Sequence, residues 1–176
     1  MPAVAVGAMR IDYPKRWFAI GSAVDAAAMA AMLWMAYGSI EDFSRYFWTA
    51  CALLVCVPIL LVLVPPLFTA HHIGEKGLRL RMGLLMNTTI PYRYIAGISG
   101  SNVNYGPFTV GIGVKYVPKK GTVFVTSSFT GLVALQFHGP QQLGGVLRPM
   151  VTQVVLSVRD RDGFVALVRD RAGLEG

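Results

Sequence analysis

The sequence predicts an α+β membrane protein. A two-helix transmembrane hairpin comes first, followed by a curved antiparallel β-sheet or barrel capped by a C-terminal α-helix. Three observations carry this prediction. Residues 17–38 and 46–70 form two long apolar runs, the second without any charged residue. From Gly77 onward apolar and polar residues alternate, the period of a half-buried strand. Near the end, Phe164, Val165, Leu167 and Val168 return to helical spacing.

Composition sets the class before any element is placed. The chain has 176 residues, 54% of them hydrophobic and 14% charged, against about 25% charged in ordinary soluble chains. Its mean hydropathy is +0.52. A disordered tail, a fibrous protein and a highly charged nucleic-acid arm are excluded on this ground. Residues 1–70 carry four Lys/Arg and four Asp/Glu, so the whole net charge of +7 resides in residues 71–176. Three regions follow: an N-terminal cytoplasmic segment at 1–16, a transmembrane hairpin at 17–70 and a cytoplasmic domain at 71–176.

The second apolar run is long enough to cross a hydrocarbon core of about 30 Å at about 1.5 Å per residue. Pro58 lies inside it and Pro65-Pro66 near its end, which predicts a bend and then irregular geometry. The first run is crowded with small residues. Ala19, Ala23, Ala27 and Ala31 recur every fourth position and form one smooth stripe suited to close helix approach in lipid. That stripe packs either on the second span or on another protein. Asp25 interrupts the run and is costly in lipid unless protonated, wetted or paired. It is read as bonded to backbone or water, as paired with another chain, or as a proton relay. Cys51 and Cys56, five apart, are read as small hydrophobes.

Residues 39–45 form the turn between the spans, where Trp34, Tyr37, Phe43, Tyr46 and Trp48 gather as interfacial aromatics do. The turn holds Glu41, Asp42 and Arg45. Arg10, Lys15 and Arg16 precede the first span, and Lys76, Arg79 and Arg81 follow the second. The positive-inside rule then places both termini and the C-terminal domain on the cytoplasmic side of the inner membrane. The first run has no clear cleavage site and is not expected to be removed.

In the second half, strands are expected at 78–82, 84–90, 98–103, 111–117, 122–126, 132–137 and 151–158. Turns fall at Gly83, at residues 91–95 and at Pro118-Lys119-Lys120-Gly121. Residues 97–113 and 138–149 read as Gly-rich loops. The terminal helix is capped by Asp160 or Asp162 and stopped by Gly173. Two stretches resemble the bacterial pleckstrin-homology-like (PH-like) domains. One is Gly77-Leu78-Arg79, then Gly83, then Ile90-Pro91-Tyr92-Arg93-Tyr94-Ile95. The other is Val158-Arg159-Asp160-Arg161-Asp162-Gly163-Phe164. The resemblance covers residues 72–172 and implies a curved sheet capped by the last helix, often preceded by paired membrane spans. It implies binding and assembly rather than catalysis.

No catalytic, cofactor-binding or metal constellation is legible. His71-His72 are adjacent and read as lining the membrane interface, and His138 reads as a loop residue. Gly111-x-Gly113 lacks the third glycine of a dinucleotide loop, and no phosphate loop or nucleophile elbow occurs. Asn87-Thr88-Thr89 is a glycosylation sequon, without meaning on the cytoplasmic side. Arg79, Arg81, Lys119 and Lys120 either contact an anionic membrane surface or form an ordinary solvated face. Nucleic acid is not an expected partner.

The expectation is therefore a non-catalytic accessory subunit without cofactor. It docks on other membrane protein subunits, in an energy-converting assembly, photosynthetic or respiratory, and contacts membrane lipids. The alternatives are an anionic-lipid-binding module and a small membrane enzyme or proton carrier that uses Asp25.

Overall fold

The computed structural model describes residues 9–100, 112–144 and 148–174. The chain forms two compact units, one at residues 15–68 and one built from residues 9–14 together with 69–174.

The first unit is a helical hairpin. Helix α1 spans Arg16–Gly38, α2 spans Asp42–Cys51, and α3 spans Val57–Leu63. The returning arm is continuous through a π-helical turn, Ala52–Cys56, and ends in a 3-10 turn, Pro65–Phe68. Pro58 explains the π turn. It has no N–H to give to the carbonyl one turn earlier, and the helix widens just before it. The two arms span 23 and 27 residues, each long and apolar enough to cross a membrane by length and composition. Ser39 fixes the turn: its hydroxyl donates to the Met35 carbonyl at 2.6 Å and meets the Ser44 hydroxyl at 3.1 Å.

The second unit is α+β. Sheet A has the order β1-β2-β3-β4, from Met9–Ile11, His71–Ile73, Gly77–Met82 and Met86–Pro91. Sheet B has the order β5-β8-β9-β7-β6, from Ile95–Gly100, Leu132–Gln142, Met150–Ser157, Thr122–Thr126 and Gly113–Val117. Helix α4, Arg161–Ala172, packs on β5. The side chain of Asp160 accepts from the Gly163 N–H at 3.0 Å as its N-cap, and Gly173 ends it.

Two expectations need correction. The strands do not close into a barrel; among the described residues they form two separate sheets. Pro91 and the 3-10 turn Tyr92–Tyr94 separate the last strand of sheet A from the first of sheet B, because proline cannot donate to a continuing ladder. Nor is sheet B wholly antiparallel. β8 and β9 form an antiparallel pair, and β7 lies on the far side of β9, parallel to it, with Thr122 opposite Gln153 and Leu156 opposite Val125. All five residues of β7 are buried, so no exposed face in its sequence marks its neighbours.

Other boundaries shift less. β8 runs on to Gln142, pairing Gln141 with Val151 across a register break, so His138 lies in a strand and not in a loop. Residues 101–111, expected to hold a strand end, a Gly-rich loop and Gly111, lie outside the described residues, as does Gly145. β1 and β2, which the sequence reading does not contain, pair antiparallel with Arg10 opposite His72. They come from the two stretches that flank the hairpin.

The core follows the alternation. In β3, Leu78, Leu80 and Met82 are buried while Arg79 and Arg81 are exposed. Gly77 is required by a close approach: a Cβ there would stand 2.5 Å from the Ile90 carbonyl oxygen. Phe124, Leu132, Ala134 and Val155 form the centre of sheet B's packing.

Candidate interaction surfaces

The hairpin seam uses one face of α1. Gly21, Ser22, Asp25, Ala28, Met32 and Ala36 are buried or half-buried, at the three- and four-residue spacing of a helix face. Gly21 faces Leu63 of α3. From the returning arm, Ala52 and Cys56 are fully buried. The alanine stripe is elsewhere: Ala19, Ala23, Ala27 and Ala31 are all exposed. The option that this stripe packs on the second span of the same chain is therefore corrected. Other small residues make that contact, and Asp25 belongs to the seam, not to the stripe.

Asp25 lies near Cys56 of the returning arm, close enough for its charge to act on the thiol. Nothing in the sequence signals this proximity, because Cys56 reads there as a small hydrophobe. Asp25 Oδ2 and the Ser22 hydroxyl are buried without a hydrogen-bond partner. One turn of α1 thus carries two unpaired polar atoms inside the seam.

The four predicted surface cations fall on different sheets. Arg79 and Arg81 stand on the outer face of β3 in sheet A, whereas Lys119 and Lys120 lie in the 3-10 turn Pro118–Lys120 that joins β6 to β7 in sheet B. Arg79 donates from Nε to the Asn87 side-chain oxygen at 3.3 Å. Register adds two members that the sequence reading did not group with them. Arg10 is opposite His72, and His72 is opposite Arg79, so the three share one face across β1, β2 and β3. Arg10 also pairs with Asp12 at 3.0 Å. Only the pairing of β1 with β2 could have placed Arg10 there, and nothing local in residues 9–11 signals it.

His71 is the opposite of an interface-lining residue. It is wholly buried in sheet A, with its ring 5.0 Å from that of Tyr13. Its Nδ1 accepts from the Arg81 backbone N–H at 3.2 Å, so the neutral ring carries its proton on Nε2, which has no partner. Burial, reinforced by neighbouring His72, pushes its pKa down to about 4. Beside it Thr69 Oγ1 accepts from the Gly83 N–H at 3.0 Å and meets Tyr13 Oη at 2.7 Å. Burial raises the Tyr13 pKa, and the bond to Thr69 opposes that rise.

Among the described residues no three His, Cys, Asp or Glu side chains converge on a point that would suit a metal ion. The cluster around His71 is closed packing, and what the chain presents outward is an apolar helix face and a basic sheet face. Comparison with protein-family models, with curated proteins and with solved structures gave no match.

Proposed function

We propose that this chain is a non-catalytic accessory subunit of a membrane protein complex. The hairpin spans the inner membrane, and a PH-like domain braces the assembly from the cytoplasmic side. The observation that carries the reading is the second small-residue face of α1. One face, from Gly21 to Ala36, is consumed by the hairpin seam. The other, Ala19, Ala23, Ala27 and Ala31, is exposed. In lipid a smooth small-residue face gains most from another helix packed closely against it. The PH-like assignment rests on the sequence resemblance, with α4 following the last strand in support.

The pairing of β1 with β2 supports the topology. These strands flank the hairpin and share hydrogen bonds, so both flanks lie on one side of any bilayer that the hairpin crosses. Basic residues before α1 and after the returning arm favour the cytoplasmic side. An energy-converting complex, photosynthetic or respiratory, suits such a subunit.

Gentle detergent extraction of native membranes, pull-down of the chain and mass spectrometry of what accompanies it test the reading. A stoichiometric set of membrane subunits is expected. A chain that emerges alone sinks it.

A second reading, an anionic-lipid-binding module, is favoured by the shared face of Arg10, His72, Arg79 and Arg81. Each cation near an anionic bilayer contributes about 1 kcal/mol. Reversing Arg79 and Arg81 to Glu is then expected to release the chain's domain from anionic lipid, while reversal of Lys119 and Lys120 has a smaller effect. Equal effects of the two pairs would argue against sheet A as the reading surface.

A further inference from the structure

At the turn end of the hairpin the two arms part around an open depression of about 490 Å³. Leu33 and Tyr37 of α1 form one wall, Arg45 and Thr49 of α2 form the other, and Ala36, only 4% exposed, forms the floor. Each wall is an i, i+4 pair, so the depression runs along the helices for one turn. Its polarity is graded. Arg45 and Tyr37 stand at the turn, and Leu33 and Thr49 lie one turn deeper. The Thr49 hydroxyl is turned back to the Arg45 carbonyl at 2.9 Å, which leaves the deep end mainly apolar.

Arg45 is held in place. It donates to the Ser39 carbonyl at 3.2 Å and lies 3.6 Å from the Asp42 carboxylate. A guanidinium has five N–H donors in a fixed fork, so these two contacts leave donors for an anion. Asp42, 79% exposed, is not part of the lining but carries the opposite charge beside Arg45. The cation that lines the slot thus has an anion at its side.

We propose that this depression holds one zwitterionic phospholipid, with its phosphodiester on Arg45, its ammonium toward Asp42 and the start of an acyl chain along Leu33 and Ala36. The inference rests on the reading that the hairpin spans a bilayer, which brings the turn to the headgroup layer. Charge complementarity selects the occupant. An anionic headgroup satisfies Arg45 and is repelled by Asp42, whereas a zwitterionic headgroup satisfies both signs.

The test uses the full chain in nanodiscs of equal parts phosphatidylethanolamine and phosphatidylglycerol, ejected for native mass spectrometry. One retained phosphatidylethanolamine is expected. Arg45→Gln should lower its occupancy about ten-fold, the loss of a charge-assisted hydrogen bond. Arg93→Gln, in the β domain, should leave it unchanged. No retained lipid, equal retention by Arg45→Gln, or a preference for phosphatidylglycerol overturns the site. Alkaline extraction of the source membranes separates the two readings. A chain that washes off overturns the membrane-spanning reading, whereas one that stays embedded yet carries no lipid overturns this site alone.

Discussion

Tyr13 Oη and Thr69 Oγ1 lie 2.7 Å apart, and this bond ties the stretch entering the hairpin to the stretch leaving it. Tyr13 is three residues before α1, and Thr69 directly follows the 3-10 turn that ends the returning arm. Thr69 also accepts from Gly83 at 3.0 Å, so one hydroxyl fastens both stretches to the end of β3. Both side chains are buried.

Thr69→Val should therefore cost more than Tyr13→Phe. The first removes the acceptor of a backbone N–H as well as the tyrosine contact, about 1–3 kcal/mol. The second removes one hydroxyl and leaves the Gly83 bond, about 1 kcal/mol. Denaturant unfolding of the full chain in mild detergent measures both. Equal costs would mean that the Gly83 bond contributes nothing.

His71 makes the domain acid-sensitive. Its folded pKa, about 4, lies below the ordinary value of 6.5, so the unfolded state binds more protons between those values. The stabilising effect is fully present above pH 6.5 and is lost as pH falls toward 4, by about 3 kcal/mol in total. Unfolding midpoints of wild type and His71→Gln should diverge in slope across that window and run parallel above it. Parallel curves throughout would show that the imidazole is not what the falling pH charges.

Gly77→Ala should be among the most damaging substitutions in sheet A. Its Cβ would meet a backbone carbonyl of the neighbouring strand at 2.5 Å, and a backbone cannot rotate away as a side chain can. We expect a loss of about 2 kcal/mol or more, read as a fall in melting temperature. Gly139→Ala is the control, since a Cβ there meets nothing within 4 Å.

Ala23→Leu with Ala27→Leu should fill the exposed stripe without touching the seam. The hairpin's stability should change by less than about 0.5 kcal/mol, as for other exposed positions. If the chain is the accessory subunit proposed above, co-purification of its partners should fall sharply. Retention of the full complex would mean that the stripe is not the docking face.

The legible parts of the fold were those whose pattern is local. β3 alternates Leu78, Arg79, Leu80, Arg81 and Met82, and its burial follows that alternation. The strand Thr122–Thr126, the irregular geometry at Pro65-Pro66 and the Asp160 cap were readable for the same reason. β1 and β2 were not. Each has only three residues, and β1 takes its partner some sixty positions away. The hairpin seam failed differently. Alanine occupies nearly every face of α1, so spacing alone could not say which small residues meet the other arm. The packing decides it, with Gly21 facing Leu63 and the exposed alanines turned elsewhere. The parallel pairing of β7 was hidden because a strand buried on both faces carries no record of its neighbours.

Sheet A also imposes an order on biosynthesis. Ile11, at the end of β1, pairs with His71, sixty residues later. At about 5–20 residues per second, β1 leaves the ribosome roughly 3–12 s before the strand that completes it. During that interval both arms of the hairpin are made. β1 is thus made before the hairpin but finds its partner only after the hairpin is complete. Closing that edge marks the moment when the hairpin has been delivered whole.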